Sequence, residues 1–531
     1  MGAAQDAGGH AAPTGVSPDV VVTAQRLDAA RQSIEPSLGA TTYSITDTTI
    51  QALPGGDNQQ LNQVILQLPG VVQDGFGQLH IRDDHNNIQY RLNGVILPEG
   101  ISVFGQTLSP RLIDRIDLIT GALPAQYGLD TAGILDLTTK SGVFHNGGQV
   151  DLYGGSHGLY EPSFEYGGNV ADTNFFVTGS FTRNQLGIEN VNGAYGADHD
   201  RTDQAQVFVY LDKILSPNDR VAFTGGYTND RFQIPNPVGL QPDGSFTLTG
   251  SDGTFPSEQL DETQRETTGF AQVSYLHDEG KWTLQTSLFG RYSTLGYHPD
   301  VEGELLYNGQ AQYAQKKDTA FGLQSEGVYH LNDAHTLRGG VIIQAERGTS
   351  QTNTLVFPTD DEGNQISSTP FAIADDSAKT QWTYSVYLQD EWRILKNLVI
   401  NYGLRADDVN GYRNEKQLSP RINAVWTPFD GTTAHIGYAR YFTPPPFELV
   451  STQSVALFNN TTAAAPTTLD TTPYAERQNY YDVGVQQKIR QVAGLTLGVD
   501  AYYRNSHNLI DEGQFGAPII LTPFNYRFGY I

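Results

Sequence analysis

Cysteine is absent from the 531 residues, and methionine occurs once, at the first position. A chain without thiols suits an oxidising compartment. No stretch approaches the roughly 18 consecutive apolar residues of a membrane-crossing helix, which excludes a helical membrane protein. The same absence leaves a membrane barrel open, because barrel strands place apolar residues only at every second position. Positive charge is scarce: 32 Lys and Arg stand against 58 Asp and Glu, a formal charge of −26. That balance argues against nucleic acid as a partner, and solvated acidic loops account for it. Neither an H-E-x-x-H pair nor a phosphate-cradling glycine loop occurs, so no catalytic residue, metal site or cofactor is assigned.

Glycine and tyrosine are abundant, with 56 and 28 residues, while only 17% of side chains are charged. This composition suggests many β-elements joined by turns. From about residue 147 onward the chain alternates over long stretches. In 173–182, Phe175, Val177 and Phe181 share one face, and Thr178, Ser180 and Thr182 the other. In 282–292, Trp282, Leu284 and Leu288 oppose Gln285, Ser287 and Arg291. In 381–392, Trp382, Tyr384, Val386 and Leu388 oppose Thr383, Ser385, Gln389 and Glu391. The stretches 398–407 and 495–504 repeat the pattern with Arg405, Asp407, Asp500 and Arg504 on the polar face. Such runs match tilted membrane strands of about 9–11 residues.

The connections alternate in length. Short turns fall near 216–220, 277–281, 331–335, 395–397, 428–432 and 490–494. Long polar loops fall near 184–203, 232–264, 294–317, 348–379, 443–476 and 506–521. This parity predicts an antiparallel up-and-down transmembrane barrel of about sixteen strands, with tight turns at one rim and long loops at the other. A solenoid would repeat one loop length.

The first 146 residues read differently. Residues 1–19 are rich in Gly, Ala and Pro and lack the apolar core of a signal peptide, so a leader is expected to have preceded or been replaced by Met1. Residues 19–26 (DVVVTAQR) set three valines in a polar tail and are expected to be extended, able to add as an edge strand to a partner's sheet. Leu61, Val64, Ile65 and Leu68 follow helical spacing, ended by Pro69 and Gly70. His80 and His85 flank Arg82, Asp83 and Asp84, but nothing fixes a coordination geometry, and a polar turn is expected instead.

Five short motifs follow in order: LPGV (68–71), IRD (81–83), NGVILP (93–98), RIDLITG (115–121) and GILDLTTKSG (133–142). Together they resemble the plug domain of TonB-dependent outer-membrane receptors. IRD stands where that family typically has IRG, so the turn at Asp83 is expected to differ. The resemblance implies a flexible segment over 1–40, a plug over 41–146 with mixed α/β structure, and a barrel over 147–531. The family's barrel has roughly twenty-two strands, so the resemblance implies a chain ending before the last of them.

Function is likewise read from the resemblance. It implies a monomeric outer-membrane importer of a Gram-negative bacterium, embedded in lipid, that takes up a scarce small-molecule ligand such as a metal chelate. A ferric siderophore is the expected cargo; a carbohydrate, cobalamin or a plugged passive pore are the alternatives. Val20, Val21, Val22, Thr23 and Ala24 correspond to the TonB box, the segment that engages the energy-transducing protein TonB. Plug arginines Arg82 and Arg115 are expected to meet inward barrel carboxylates, Glu391 first among them. Tyr441, Phe442 and Phe447 begin a long loop; they are candidates for ligand contact, with an aromatic girdle as the preferred role.

Overall fold

The computed structural model describes residues 17–35, 41–73, 79–82, 84–85, 88–98, 100–102, 104–105, 107–130, 132–188, 191, 198–447, 455–464, 473–490, 492, 495–514 and 521–530. A sheet of sixteen strands runs from Gly147–Gly154 to Leu521–Tyr530, each strand antiparallel to the next in chain order. The strands range from the 8 residues of Gly147–Gly154 to the 25 of Phe371–Leu395.

Alternation sets which side chains enter the interior. In Trp282–His298, Trp282 and Leu288 are exposed, while Thr283, Gln285, Ser287 and Arg291 are buried. In Phe371–Leu395, Trp382, Tyr384, Val386 and Leu388 are exposed, and Thr383, Ser385 and Gln389 are buried. The sheet is therefore apolar outside and polar inside, the reverse of a water-soluble domain. An exposed apolar band of this extent suits hydrocarbon.

Loop parity follows the expected pattern with three exceptions. Short connections join Ser216 to Asp219, Asp278 to Trp282, His330 to His335 and Leu395 to Leu398, all at one rim. At the opposite rim lie the long loops, including the helix Val301–Asn308. Three connections at that rim are also short, between Gly154 and Tyr160, between Asn410 and Asn414 and between Gln514 and Leu521, the last where a long loop over 506–521 was expected.

Inside this wall sits a smaller mixed sheet. Its order is Thr41–Thr46, Ile113–Thr120, Gly133–Thr139, Ile88–Leu92 and Val95–Ile96, with Ile88–Leu92 parallel to Gly133–Thr139. The last two strands close through Asn93 and Gly94, both with positive φ (55° and 79°), the two-residue turn that an Asn-Gly pair favours. The expected helix forms over Leu61–Ile65, and Leu61, Val64, Ile65 and Leu68 join Ile116, Leu118, Leu135 and Leu137 in the core. A three-stranded hairpin unit holds Val71–Gln73, Leu79–Ile81 and Asp84–His85.

Residues 20–24 are not extended. They lie in the α-helix Pro18–Ser33, which starts with proline and carries Asp19 in its first turn and Arg31 in its last. Tertiary contact overrides the β preference of the three valines: Ala24, Leu27 and Ile34 pack with Val143, Ile214, Leu276 and Val328 beside the short-turn rim. Residues 1–16 lie outside the described residues.

Candidate functional site

The chemistry of this molecule lies where the inner domain meets the wall. The edge strand Val95–Ile96 and its turn present main-chain groups that no further strand pairs. Inward glutamines from the wall serve them instead. Gln272 Nε2 donates to Leu92 O (2.9 Å), Gln285 Nε2 to Asn93 O (3.2 Å) and Gln324 Nε2 to Gly94 O (2.9 Å). Gln324 Oε1 accepts from Ile96 N at 3.0 Å. Amide side chains satisfy the edge without adding charge, and a glutamine can let go as readily as it holds.

Three groups of charged contacts hold the inner sheet and its hairpin. At the centre, Arg91 is 1% exposed and its Nη1 donates to Glu326 Oε2 at 3.3 Å. Glu326 also accepts from Gln324 Nε2 (2.7 Å) and Tyr387 Oη (3.1 Å), while the Arg91 guanidinium lies 4.8 Å from the Tyr127 ring centre. Glu35 and Asp136 sit beside this hub. Burial, reinforced by the Asp136 carboxyl, holds Glu35 well above the usual range, and burial also raises Asp136. A small cavity of about 10 Å³ opens here, bordered by Arg31, Ile34, Glu35, Gln126 and Glu326.

The second group clamps the Leu79–Ile81 hairpin. Arg82, at positive φ (52°), donates from Nη1 to Tyr480 Oη (2.9 Å) and Asp482 Oδ2 (3.2 Å). His435 Nε2 lies 2.7 Å from Asp482 Oδ1. Asp84 pairs with Arg504 on the adjoining strand. The third group seats the end of the inner sheet: Lys140, 2% exposed, bridges Asp47 (3.2 Å) and Glu165 (3.4 Å), and Arg111 reaches Asp57 (3.3 Å) and Glu161 (3.6 Å).

Of the residues expected to form a network, only Arg82 meets a carboxylate of the wall. Arg115 pairs with Asp117 on its own strand at 2.7 Å, because both point to one face two positions apart. Glu391 is paired with Arg338 at 2.8 Å on the neighbouring strand, and Arg338 also donates to Ser33 O at the end of the N-terminal helix. Arg115 and Glu391 thus do not meet.

Tyr441 is fully buried and faces the inner domain: its hydroxyl donates to Gly121 O and accepts from Leu123 N, both at 2.7 Å. The outward aromatic girdle expected there is corrected by strand parity. Phe442 packs with Val409 and Ala475, and Phe447 lies against Tyr412, ring centres 5.2 Å apart. Asp83 and its turn lie outside the described residues. Residues 154–158 spell G-x-S-x-G, but they connect two adjacent antiparallel strands and form no strand-to-helix elbow.

Glu326, Asp482, Gln272 and Gln324 were not singled out from the sequence, and Gln285 and Arg504 were placed on the polar face without partners. Their one available signal was inward parity along long alternating strands, which identifies lumen residues without saying which ones touch.

Two family models match the chain: "TonB-dependent Receptor Plug Domain" over residues 37–134 and "TonB dependent receptor-like, beta-barrel" over residues 210–529. No curated protein sequence matches it. Among solved structures, the siderophore receptor PiuA of Acinetobacter baumannii is 13% identical with a TM-score of 0.64, covering 94% of this chain and 76% of that one. A variant of the ferric enterobactin receptor PfeA of Pseudomonas aeruginosa is 15% identical with a TM-score of 0.64, covering 94% and 77%. FpvA of P. aeruginosa, bound to heterologous pyoverdines, is 13% identical with a TM-score of 0.61, covering 93% and 68%. At these identities the likeness is one of fold.

Proposed function

The chain belongs to the TonB-dependent receptors, and we propose that it is an outer-membrane importer of a ferric siderophore, powered through TonB. The family is one of receptors and transporters rather than enzymes. Residues 41–146 are the plug and 147–531 the barrel wall. Lipid meets the apolar outer face, and the cargo enters from the rim of long loops.

The observation that carries this reading is the way the plug is held. It is seated by a few ion pairs and by glutamine side chains on its edge strand, contacts that can break and re-form without unfolding either partner. A wall with a fixed inert constriction has no need of such an interface. The iron–pyoverdine complex of FpvA and the ferric enterobactin specificity of PfeA favour a siderophore over a sugar or cobalamin.

Val20–Ala24 are read as the TonB-engaging segment. To add as a strand to TonB they must first leave the helix Pro18–Ser33. That helix is held to the rim by Asp28–Arg220 (2.6 Å) and Arg26–Asp278 (3.6 Å). The β-branched valines make its unwinding inexpensive. Ligand at one face and TonB at the other then bias the same plug, which is a coupling between two sites.

The test is uptake of a radio-iron chelate by Gram-negative cells expressing the receptor, with and without TonB. Uptake that requires TonB supports the proposal. Passage that is equal in both strains identifies a plugged passive pore instead.

A further inference from the structure

We propose that the outer face of the wall docks a polyanionic lipid of the outward-facing leaflet, a glycolipid bearing phosphomonoesters, on Arg231, Arg265, Lys317 and Arg347. The inference rests on the outer-membrane reading above and concerns the lipid around the wall rather than the cargo. Four dipeptides carry it: Asp230-Arg231, Arg265-Glu266, Lys317-Asp318 and Glu346-Arg347. They lie on the strands Asp219–Gln233, Thr263–Asp278, Gln310–His330 and His335–Val356. Successive residues of a strand face opposite ways. All four acids are buried inside, while Arg231, Arg265 and Arg347 are exposed and Lys317 half-buried on the outer face. The bases therefore do not serve the carboxylates beside them.

No other acid serves them. Among the described residues none of the four bases makes an ion pair. Arg265 Nη2 donates to Asn229 Oδ1 (3.2 Å) and Arg347 Nη1 to Thr380 Oγ1 (3.4 Å). Arg231 and Arg265 stand directly opposite each other on paired strands, a like-charge pair that is unfavourable until an anion joins it. Asp203 is the cross-strand neighbour of Arg231 on the other side, but its two oxygens are held by Arg183 (2.6 Å) and Arg201 (2.8 Å).

Height on the wall selects a lipid. Each base lies about a dozen residues from the short-turn end of its strand, just past the roughly 9–11 that cross the hydrocarbon. Four residues nearer that end, on the same outward face, Tyr227, Phe321 and Ile343 stand below Arg231, Lys317 and Arg347, and they are 49%, 65% and 37% exposed. Four strand residues span about 13 Å. A ligand that meets both rows is an amphiphile, with its headgroup on the bases and its acyl chains on the apolar side chains. Gly296 stands opposite Arg265 on the strand that separates it from Lys317, and a Cβ there would meet nothing within 4 Å, which leaves the headgroup room. Four bases without an acid call for several negative charges. Phosphomonoesters, each carrying about −1.5 to −2, supply them, whereas a phosphodiester phospholipid carries a single charge.

The experiment follows lipid binding to the receptor, purified in an uncharged detergent, by native mass spectrometry. The probes are lipid A with both phosphates, the same lipid with both removed, phosphatidylglycerol and inorganic phosphate. Bisphosphorylated lipid A is expected to bind at least about tenfold more tightly than either other lipid, and inorganic phosphate should not displace it. The variant Arg231→Gln/Arg265→Gln/Lys317→Gln/Arg347→Gln, checked for an unchanged β-sheet circular dichroism signal, should bind the two forms of lipid A alike. The smaller variant Arg231→Gln/Arg265→Gln should lose part of the preference. Lys213→Gln, which removes an exposed cation near the short-turn rim, should leave it unmoved.

Equal binding of the dephosphorylated lipid or of phosphatidylglycerol, displacement by inorganic phosphate, or a preference that survives all four substitutions overturns the inference. Recovery of the receptor outside the outer-membrane fraction of Gram-negative cells rejects the location reading and the inference with it. Recovery in that fraction together with equal binding rejects the inference alone.

Discussion

Arg82 Nη1 of the plug lies 3.2 Å from Asp482 Oδ2 of the wall, and one strand over the polarity is reversed, with Asp84 of the plug against Arg504 of the wall. Asp482 and Arg504 stand on paired strands, Tyr480 opposite Arg504 and Asp482 opposite Tyr502. A plug displaced along this wall sets like charge against like, so the pair of bridges specifies position as well as attraction.

Removing Arg82 leaves the nearly inaccessible Asp482 with His435 as its remaining partner. Arg82→Met is expected to cost about 1–3 kcal/mol of local stability. Hydrogen exchange across Leu79–Ile81 should accelerate accordingly, and the swap Arg82→Asp/Asp482→Arg should recover part of the protection. A swap no better than the single change would show that the clamp acts through shape rather than charge.

Gly142 marks the passage from plug to wall. A Cβ there would run into the carbonyl oxygens of Gly168 and Phe175, both backbone atoms of the wall. Gly142→Ala is therefore expected to unseat the end of the plug at a cost of about 1–3 kcal/mol. Limited proteolysis near residues 140–146 should speed up, with the wall strands still protected.

Among the long loops, Glu304 is 1% exposed and accepts from Tyr297 Oη at 2.5 Å. Burial first, and then the neighbouring Glu262, push its carboxyl up to about 8; burial raises Glu262 as well. Asp300 adds negative charge to this group. The folded loops thus favour the protonated acid, so their contact is strongest below the ordinary glutamate range and weakens as pH rises through about 8. Amide exchange in Val301–Asn308, corrected for its intrinsic pH dependence, should show lost protection between pH 6 and 9, and Glu304→Gln should flatten the profile.

At the other rim, Asp28 is partly exposed, so its bridge to Arg220 contributes only about 1 kcal/mol. Asp28→Asn should raise the fraction of released helix and tighten the apparent affinity for TonB by a factor of about five. A spin label at Val22→Cys, the only cysteine of the resulting chain, should report greater mobility in the same variant. Unchanged mobility would mean that the helix is held by its apolar face through Ala24 and Leu27.

The sequence made the wall legible because a sheet with unlike faces writes its period into every strand. Trp282 to Arg291 and Trp382 to Gln389 could be placed outside or inside by counting in twos. The plug was legible from its short motifs. Partners were not legible. Inward parity placed Glu391 correctly, but its height on the strand and the curvature of the wall bring it to Arg338. Arg115 found Asp117 two residues away before any barrel carboxylate. The N-terminal helix was hidden for another reason: three valines favour an extended chain, and only packing against Ile214, Leu276 and Val328, far away in sequence, makes the helix the better choice.

The most direct measurement is a titration of the periplasmic domain of TonB against the purified receptor and against the receptor lacking residues 19–26. Saturable binding that vanishes with the deletion and strengthens when an iron chelate is present is the expected result. Binding of equal strength to both proteins would contradict it, leaving Val20–Ala24 as a structural helix at the rim and the plug without its handle.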